Sequence, residues 1–166
     1  MSSRTCAIVE VLLQTGLRAS ELCGLWVGDV TFAEPGQPAL LLVRQGKGKK
    51  DRVVPLPPRA EQAVQAYLAT RDAWGPRDPL FVKGEQGLPL TRQGLGSVLA
   101  RLYAGCGIVG ASVHTLRHTF ATHSLRKGVS LPVVQAVLGH STLVSTERYL
   151  HLLRETMCTE VEQHAL

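Results

Sequence analysis

At 166 residues the chain is long enough to bury a core, and with 45% apolar residues it is expected to fold as one domain. Lys and Arg outnumber Asp and Glu by 18 to 13, for a net charge of +5 and a pI of 9.3, which suits a polyanionic partner and equally a plain basic surface. No apolar run is long enough to cross a membrane, no signal peptide opens the chain, and Cys6, Cys23, Cys106 and Cys158 form no CxxC pair, so a disulfide-framed secreted domain is excluded and an intracellular protein with reduced thiols is expected.

In chain order, TCAIVEVLLQTG carries apolar residues on one helical face and stops at Gly16. RASELCGLWVGDV reads as a second short helix ended near Gly28. PALLLVR and DRVVPLP are β-type runs on either side of QGKGKK, which predicts a hairpin with a basic, glycine-rich tip. PRAEQAVQAYLATRDAW opens with Pro58 and continues as an amphipathic helix. The turn-rich stretch that follows has room for a short strand at Leu80 to Val82. TRQGLGSVLARLYAGCG predicts a helix weakened by Gly94 and Gly96, and HTLRHTFATHSLRKG predicts another, ended by Gly128. Ser130 is placed to cap LPVVQAVLG, with Pro132 in its first turn; STLVSTERYLHLL and the tail to Leu166 read as helical. The expected class is mainly α with one small antiparallel sheet (α+β), without repeats or an internal linker.

Reactive side chains gather at four places. Arg18 follows the break at Gly16, and Glu21 lies close enough to brace it, although alone the two read as a surface ion pair. Arg44, Lys47, Lys49, Lys50 and Arg52 crowd the hairpin tip, which suits phosphate contact or a solvated turn and lacks the spacing of a P-loop. His114 and Arg117 share a helix face, while His118 and His123 read as structural. His114 and His118 have the HxxxH spacing of a zinc pair, but no Glu follows the first His and the cationic Arg117 opposes a metal ion, so no metal is expected. His140 sits in a loop just past a helix end, and Tyr149, alone a packing tyrosine, lies on the next helix. Two arginines, two histidines, a lysine and a tyrosine without a carboxylate cluster suit phosphoryl transfer in which side chains replace a metal.

Five stretches, TGLRASEL, GKGKKDRVVPL, HTLRHTFATH, LGHS and TERYLH, resemble in order the motifs of the tyrosine recombinases of the phage-integrase family, from about Leu12 to His151. The resemblance implies the catalytic-domain fold of that family and a DNA strand-exchange enzyme that uses no metal and no nucleotide cofactor. Arg18 and Arg117 match the two catalytic arginines that clamp the scissile phosphate. Lys47 matches the hairpin lysine expected to protonate the leaving 5′ hydroxyl, with Lys49 as its nearest rival. His114 matches the residue that assists the nucleophile, and His140 the one that hydrogen-bonds the phosphate. Tyr149 matches the nucleophile that forms a 3′-phosphotyrosyl bond, and Glu21 supports the first arginine.

Arg44, Lys49, Lys50 and Arg52 are expected to contact the DNA backbone. The N-terminal domain that in the family grips the other face of the DNA is expected to be absent, leaving residues 1–166 as an isolated catalytic domain. The C-terminal tail resembles the helix through which family members assemble as tetramers on double-stranded DNA; the isolated chain is expected to be a monomer, cytoplasmic and nucleoid-associated. Two further readings stay open: a DNA-binding or assembly module inactive in isolation, and a topoisomerase-like nicking and closing activity.

Overall fold

A computed structural model of the chain describes residues 1–44, 51–84 and 87–139. Lys47, Lys49, Lys50, His140 and Tyr149, and the helices expected after Gly139, lie outside the described residues.

Helix α1 (Ser3–Thr15) starts where the Ser2 hydroxyl accepts from the Thr5 amide, and ends at Gly16 in the left-handed conformation, φ +63°. Helix α2 (Ala19–Cys23) stops well before the expected Gly28. The cause is tertiary. Leu25 and Val27 exchange backbone hydrogen bonds with Leu80 and Asp78, and Trp26 forms a bridge with Pro79, so those amides and carbonyls are not available to a helix. A 3-10 turn at Val27–Asp29 leads into β1 (Val30–Thr31), a strand of two residues that is too short to leave a periodic signal.

The predicted hairpin is present as β2 (Leu40–Val43) and β3 (Arg52–Pro55), in the antiparallel order β1-β2-β3 with Leu41 opposite Val54 and Val43 opposite Arg52. Pro55 is tolerated because β3 is an edge strand. Helix α3 (Pro58–Leu68) opens on its proline as expected but ends six residues before Trp74. A second ribbon pairs β4 (Val82–Lys83) with β5 (Leu88–Pro89). Tyr67 of α3 stacks on Phe81 at 5.7 Å and accepts a hydrogen bond from the Val82 amide. Helix α4 (Arg92–Gly105) is capped by Thr91; α5 (Val113–Arg126) and α6 (Leu131–Leu138) complete the described chain.

Helix α1 lies in the middle, packed on α3 and α5, and α6 packs on α5. One core runs through Ile8, Leu12, Leu41, Val54, Val64, Leu95, Phe120 and Val134. Among the described residues no helix is long and apolar enough to cross a membrane.

Gly16 is required twice. Its φ is positive, and a Cβ there would stand 2.5 Å from Phe120 Cδ1 and 2.7 Å from Leu138 Cδ2, both in buried side chains. Gly16→Ala is therefore expected to destabilise the fold by about 2–5 kcal/mol, the sum of a left-handed penalty of about 1–2 and overpacking of about 1–3. Urea unfolding of the variant beside the native chain measures this; an unchanged midpoint would contradict the close packing of α1, α5 and α6.

Candidate active site: an arginine clamp on two helix ends

Two helix C-termini meet at one place. Helix α1 ends at Gly16 and α6 ends at Gly139, both in the left-handed conformation. Each end presents carbonyls that have no partner within its own helix, together with the negative end of a helix dipole. Three arginines from three other elements answer them. Arg52 at the start of β3 donates Nε to the Val137 carbonyl at 2.9 Å. Arg117 of α5 donates Nη2 to Leu138 at 2.8 Å and Nη1 to Gly16. Arg18, immediately before α2, makes a long contact from Nη2 to Gly139 at 3.5 Å. Three successive carbonyls thus hold three guanidinium groups. Gly139 sits at φ +66°, and a Cβ there would lie 2.9 Å from Arg52 Cζ, so the Arg52 guanidinium would have to move.

Glu21 joins two of these cations. Its Oε1 accepts from Arg18 Nη1 and Arg52 Nη1, each at 2.9 Å; its Oε2 accepts from Arg52 Nη2 at 3.0 Å and from the Arg18 backbone amide at 2.8 Å. The last bond also satisfies an amide in the first turn of α2, which explains why the chain turns into a helix directly at Arg18. Burial alone would push the Glu21 carboxyl up, but the Arg52 and Arg18 hydrogen bonds and the Arg52 charge outweigh it and hold the pKa down at about 2, against an ordinary 4.5. Burial also works on Arg117, lowering it to about 10; repulsion from Arg18 and Arg52 adds to this and attraction to Glu21 opposes it.

A carboxylate whose folded pKa is depressed stabilises fully above its unfolded value and loses that contribution as pH falls through the folded one. For Glu21, only 8% exposed, the window runs from 4.5 down to about 2. At neutral pH the contribution is about 3 kcal/mol, from the size of that shift. Glu21→Gln is expected to lose roughly this amount at neutral pH and to show a flatter acid-unfolding curve across that window. Denaturant titrations at neutral and acid pH test it, and parallel curves for the two proteins would count against the coupling.

The structure thus brings together Arg18, Glu21, Arg52 and Arg117. Each terminal nitrogen of Arg18 and Arg117 donates once to these acceptors and carries a second N–H, so N–H groups on both stay available among the described residues. Arg18 is 39% exposed. Two adjacent forks of this kind match the non-bridging oxygens of a phosphate. His114 lies exposed in the first turn of α5, on the same face as Arg117.

Other expectations fare differently. Arg44 is exposed and pairs with the buried Asp29, with Nε to Oδ1 at 2.8 Å. Arg52, expected at the DNA backbone, is instead 12% exposed, with all three guanidinium nitrogens turned inward to Glu21 and Val137. Strand alternation carries a signal for this: Arg52 shares its face with Val54, which is fully buried, and an inward arginine needs a carboxylate. His118, expected as a structural residue, is exposed, whereas His123 is half-buried with Nε2 lacking a partner among the described residues. No group of three or more His, Cys, Asp or Glu side chains could hold a metal ion among the described residues.

The chain is 42% identical to tyrosine recombinase XerD of Brucella suis biovar 1 (strain 1330), over 97% of this chain and 52% of that protein. It is 36% identical to tyrosine recombinase XerC of Bacillus subtilis (strain 168), over 97% of this chain and 53% of that protein. The chain therefore spans about half the length of these curated relatives. Among solved structures it superposes on the XerA recombinase with a TM-score of 0.74 at 32% identity, covering 99% of this chain and 59% of that one. It also superposes on the XerH site-specific recombinase bound to its difH substrate before cleavage, with a TM-score of 0.72 at 28% identity, covering 92% of this chain and 47% of that one. The phage integrase family model matches residues 1–156, nearly the whole chain and every residue of the arginine clamp, and on this match the chain belongs to the phage integrase family.

Proposed function

We propose that this chain is the catalytic part of a site-specific DNA recombinase that cuts and rejoins strands through a covalent 3′-phosphotyrosyl intermediate. The observation that carries the reading is the meeting of Arg18 and Arg117, distant in sequence, on adjacent carbonyls of the α6 terminus, one residue before His140. The names of the relatives and the difH substrate in the XerH structure support the same reading.

In this mechanism the Tyr149 oxygen attacks phosphorus, the bond from phosphorus to the 5′ oxygen breaks, and the 3′ side stays attached to the tyrosine. His114 assists removal of the tyrosine proton, and Lys47 protonates the leaving 5′ oxygen. Arg18, Arg117 and His140 hold the oxygens on which charge builds up in the transition state. A 5′ hydroxyl of a partner strand then reverses the step and leaves the tyrosine free. Arg44, Lys49 and Lys50 are proposed contacts to the DNA backbone. Double-stranded DNA is the partner, the C-terminal helix joins subunits into a tetramer, and the protein works at the nucleoid.

A capture experiment finds the target site and tests the chemistry together. The gene's full product is incubated with sheared DNA of its own organism and stopped with denaturant. Covalently bound DNA is then sequenced, and the attached peptide is mapped by mass spectrometry. One recurring site, with the link at Tyr149, is expected. No adduct sinks the reading in favour of a binding module, whereas adducts at scattered sites, with relaxation of any supercoiled plasmid, favour a nicking and closing enzyme.

A further inference from the structure

Resting on that reading, we infer that Arg52 is a positioning residue for the reaction: through Glu21 it sets the direction of the Arg18 guanidinium, and through Val137 it sets the end of α6 to which Arg18 and Arg117 are tied. Arg52 does not itself reach the phosphate. Its fork faces Glu21 with both Nη atoms, and its Nε faces Val137. The carboxylate so fixed holds Arg18 at two points, its guanidinium through Oε1 to Nη1 and its backbone through Oε2 to the amide. A lysine could not replace this fork: one ammonium cannot present two parallel bonds to a carboxylate and a third to a carbonyl at a fixed angle. The helix end lies close against it, because a Cβ at Gly139 would meet Arg52 Cζ at 2.9 Å and push the fork aside. An angular error in Arg18 bears directly on the rate, since clamp donors act only when aimed at the transition-state oxygens.

The experiment uses the gene's full product and a nicked duplex carrying the site recovered by adduct sequencing. Cleavage is followed in a single turnover at saturating protein, and DNA affinity is followed against salt. Arg52→Gln and Arg52→Lys are both expected to cleave about tenfold to a hundredfold more slowly than the native protein, per folded molecule by circular dichroism, with native Kd and salt slope. A backbone contact behaves the other way: Arg52→Gln would weaken binding and lower the salt slope by about one, Arg52→Lys would keep both, and the saturated rate would hold. That pattern overturns the inference, as does a loss that disappears on correction for unfolded protein. The route through Glu21 is read from a cycle. Glu21→Gln combined with Arg52→Gln should be no slower than the slower single variant, and multiplying losses would overturn that route. Arg52→Lys keeps the charge and covers the case in which Arg52→Gln does not fold. A native protein that does not cleave overturns the functional reading and this inference together; native cleavage with unaffected variants overturns the inference alone.

Discussion

Arg117→Ala is expected to slow formation of the covalent protein–DNA adduct by about a thousandfold, with little loss of DNA affinity. The guanidinium is held between the ends of α1 and α6, and burial together with its two neighbouring arginines brings its pKa to about 10, so it is still charged at neutral pH. A cation that is dehydrated and repelled before the substrate arrives gains most from the growing negative charge of a pentacoordinate phosphate. Removing one preorganised donor from such a site slows chemistry by roughly a hundredfold to a thousandfold, and here a whole charge goes with it. In the proposed complex Arg117 is one of many backbone contacts, so the salt slope should change by about one at most. Folding feels two opposed changes: repulsion of Arg18 and Arg52 is relieved, while the Gly16 and Leu138 carbonyls lose their partner. Stopped-time adduct assays beside a melting curve separate rate from stability. A native rate in the folded variant would remove Arg117 from the chemistry.

The second large effect falls on Tyr149, which lies outside the described residues. Tyr149→Phe is expected to abolish the adduct altogether, because the substitution deletes the oxygen that in the proposed mechanism becomes the ester oxygen. DNA binding should persist, since one hydroxyl contributes little to a backbone-dominated interface. The assay is the same denaturing gel, with binding measured in parallel. An adduct formed by Tyr149→Phe would assign the nucleophile elsewhere, whereas loss of both adduct and binding would point to misfolding.

Much of the scaffold can be read from local pattern. Gly16 ends α1, Pro58 opens α3, and the runs around the basic tip pair as β2 and β3, because each is governed by backbone chemistry within a few residues. The second helix is shorter than its local pattern suggests because Trp26 and its neighbours make their hydrogen bonds to residues near Pro79, a partner invisible in a local window. Arg18, Glu21 and Arg117, which the structure brings to one place, are each singled out by the sequence. The charge of Arg52 and its place beside a basic tip suggest a DNA contact, although its position on the strand points inward, toward the face of Val54. What sequence alone does not convey is that helix ends, and not side chains alone, assemble the clamp: carbonyls of Gly16, Val137 and Leu138 leave no signature in residue type.

That arrangement makes α6 a ruler. Each residue of a helix advances the next carbonyl by about a hundred degrees around the axis and about 1.5 Å along it. Inserting or deleting one residue between Leu131 and Leu138 would rotate Val137, Leu138 and Gly139 away from all three guanidinium groups at once, while leaving the composition of the helix almost unchanged. Variation in length among natural or engineered versions of this domain therefore belongs in loops such as the one between α4 and α5, because the register of α6 holds the arginine clamp together as closely as the arginines themselves do.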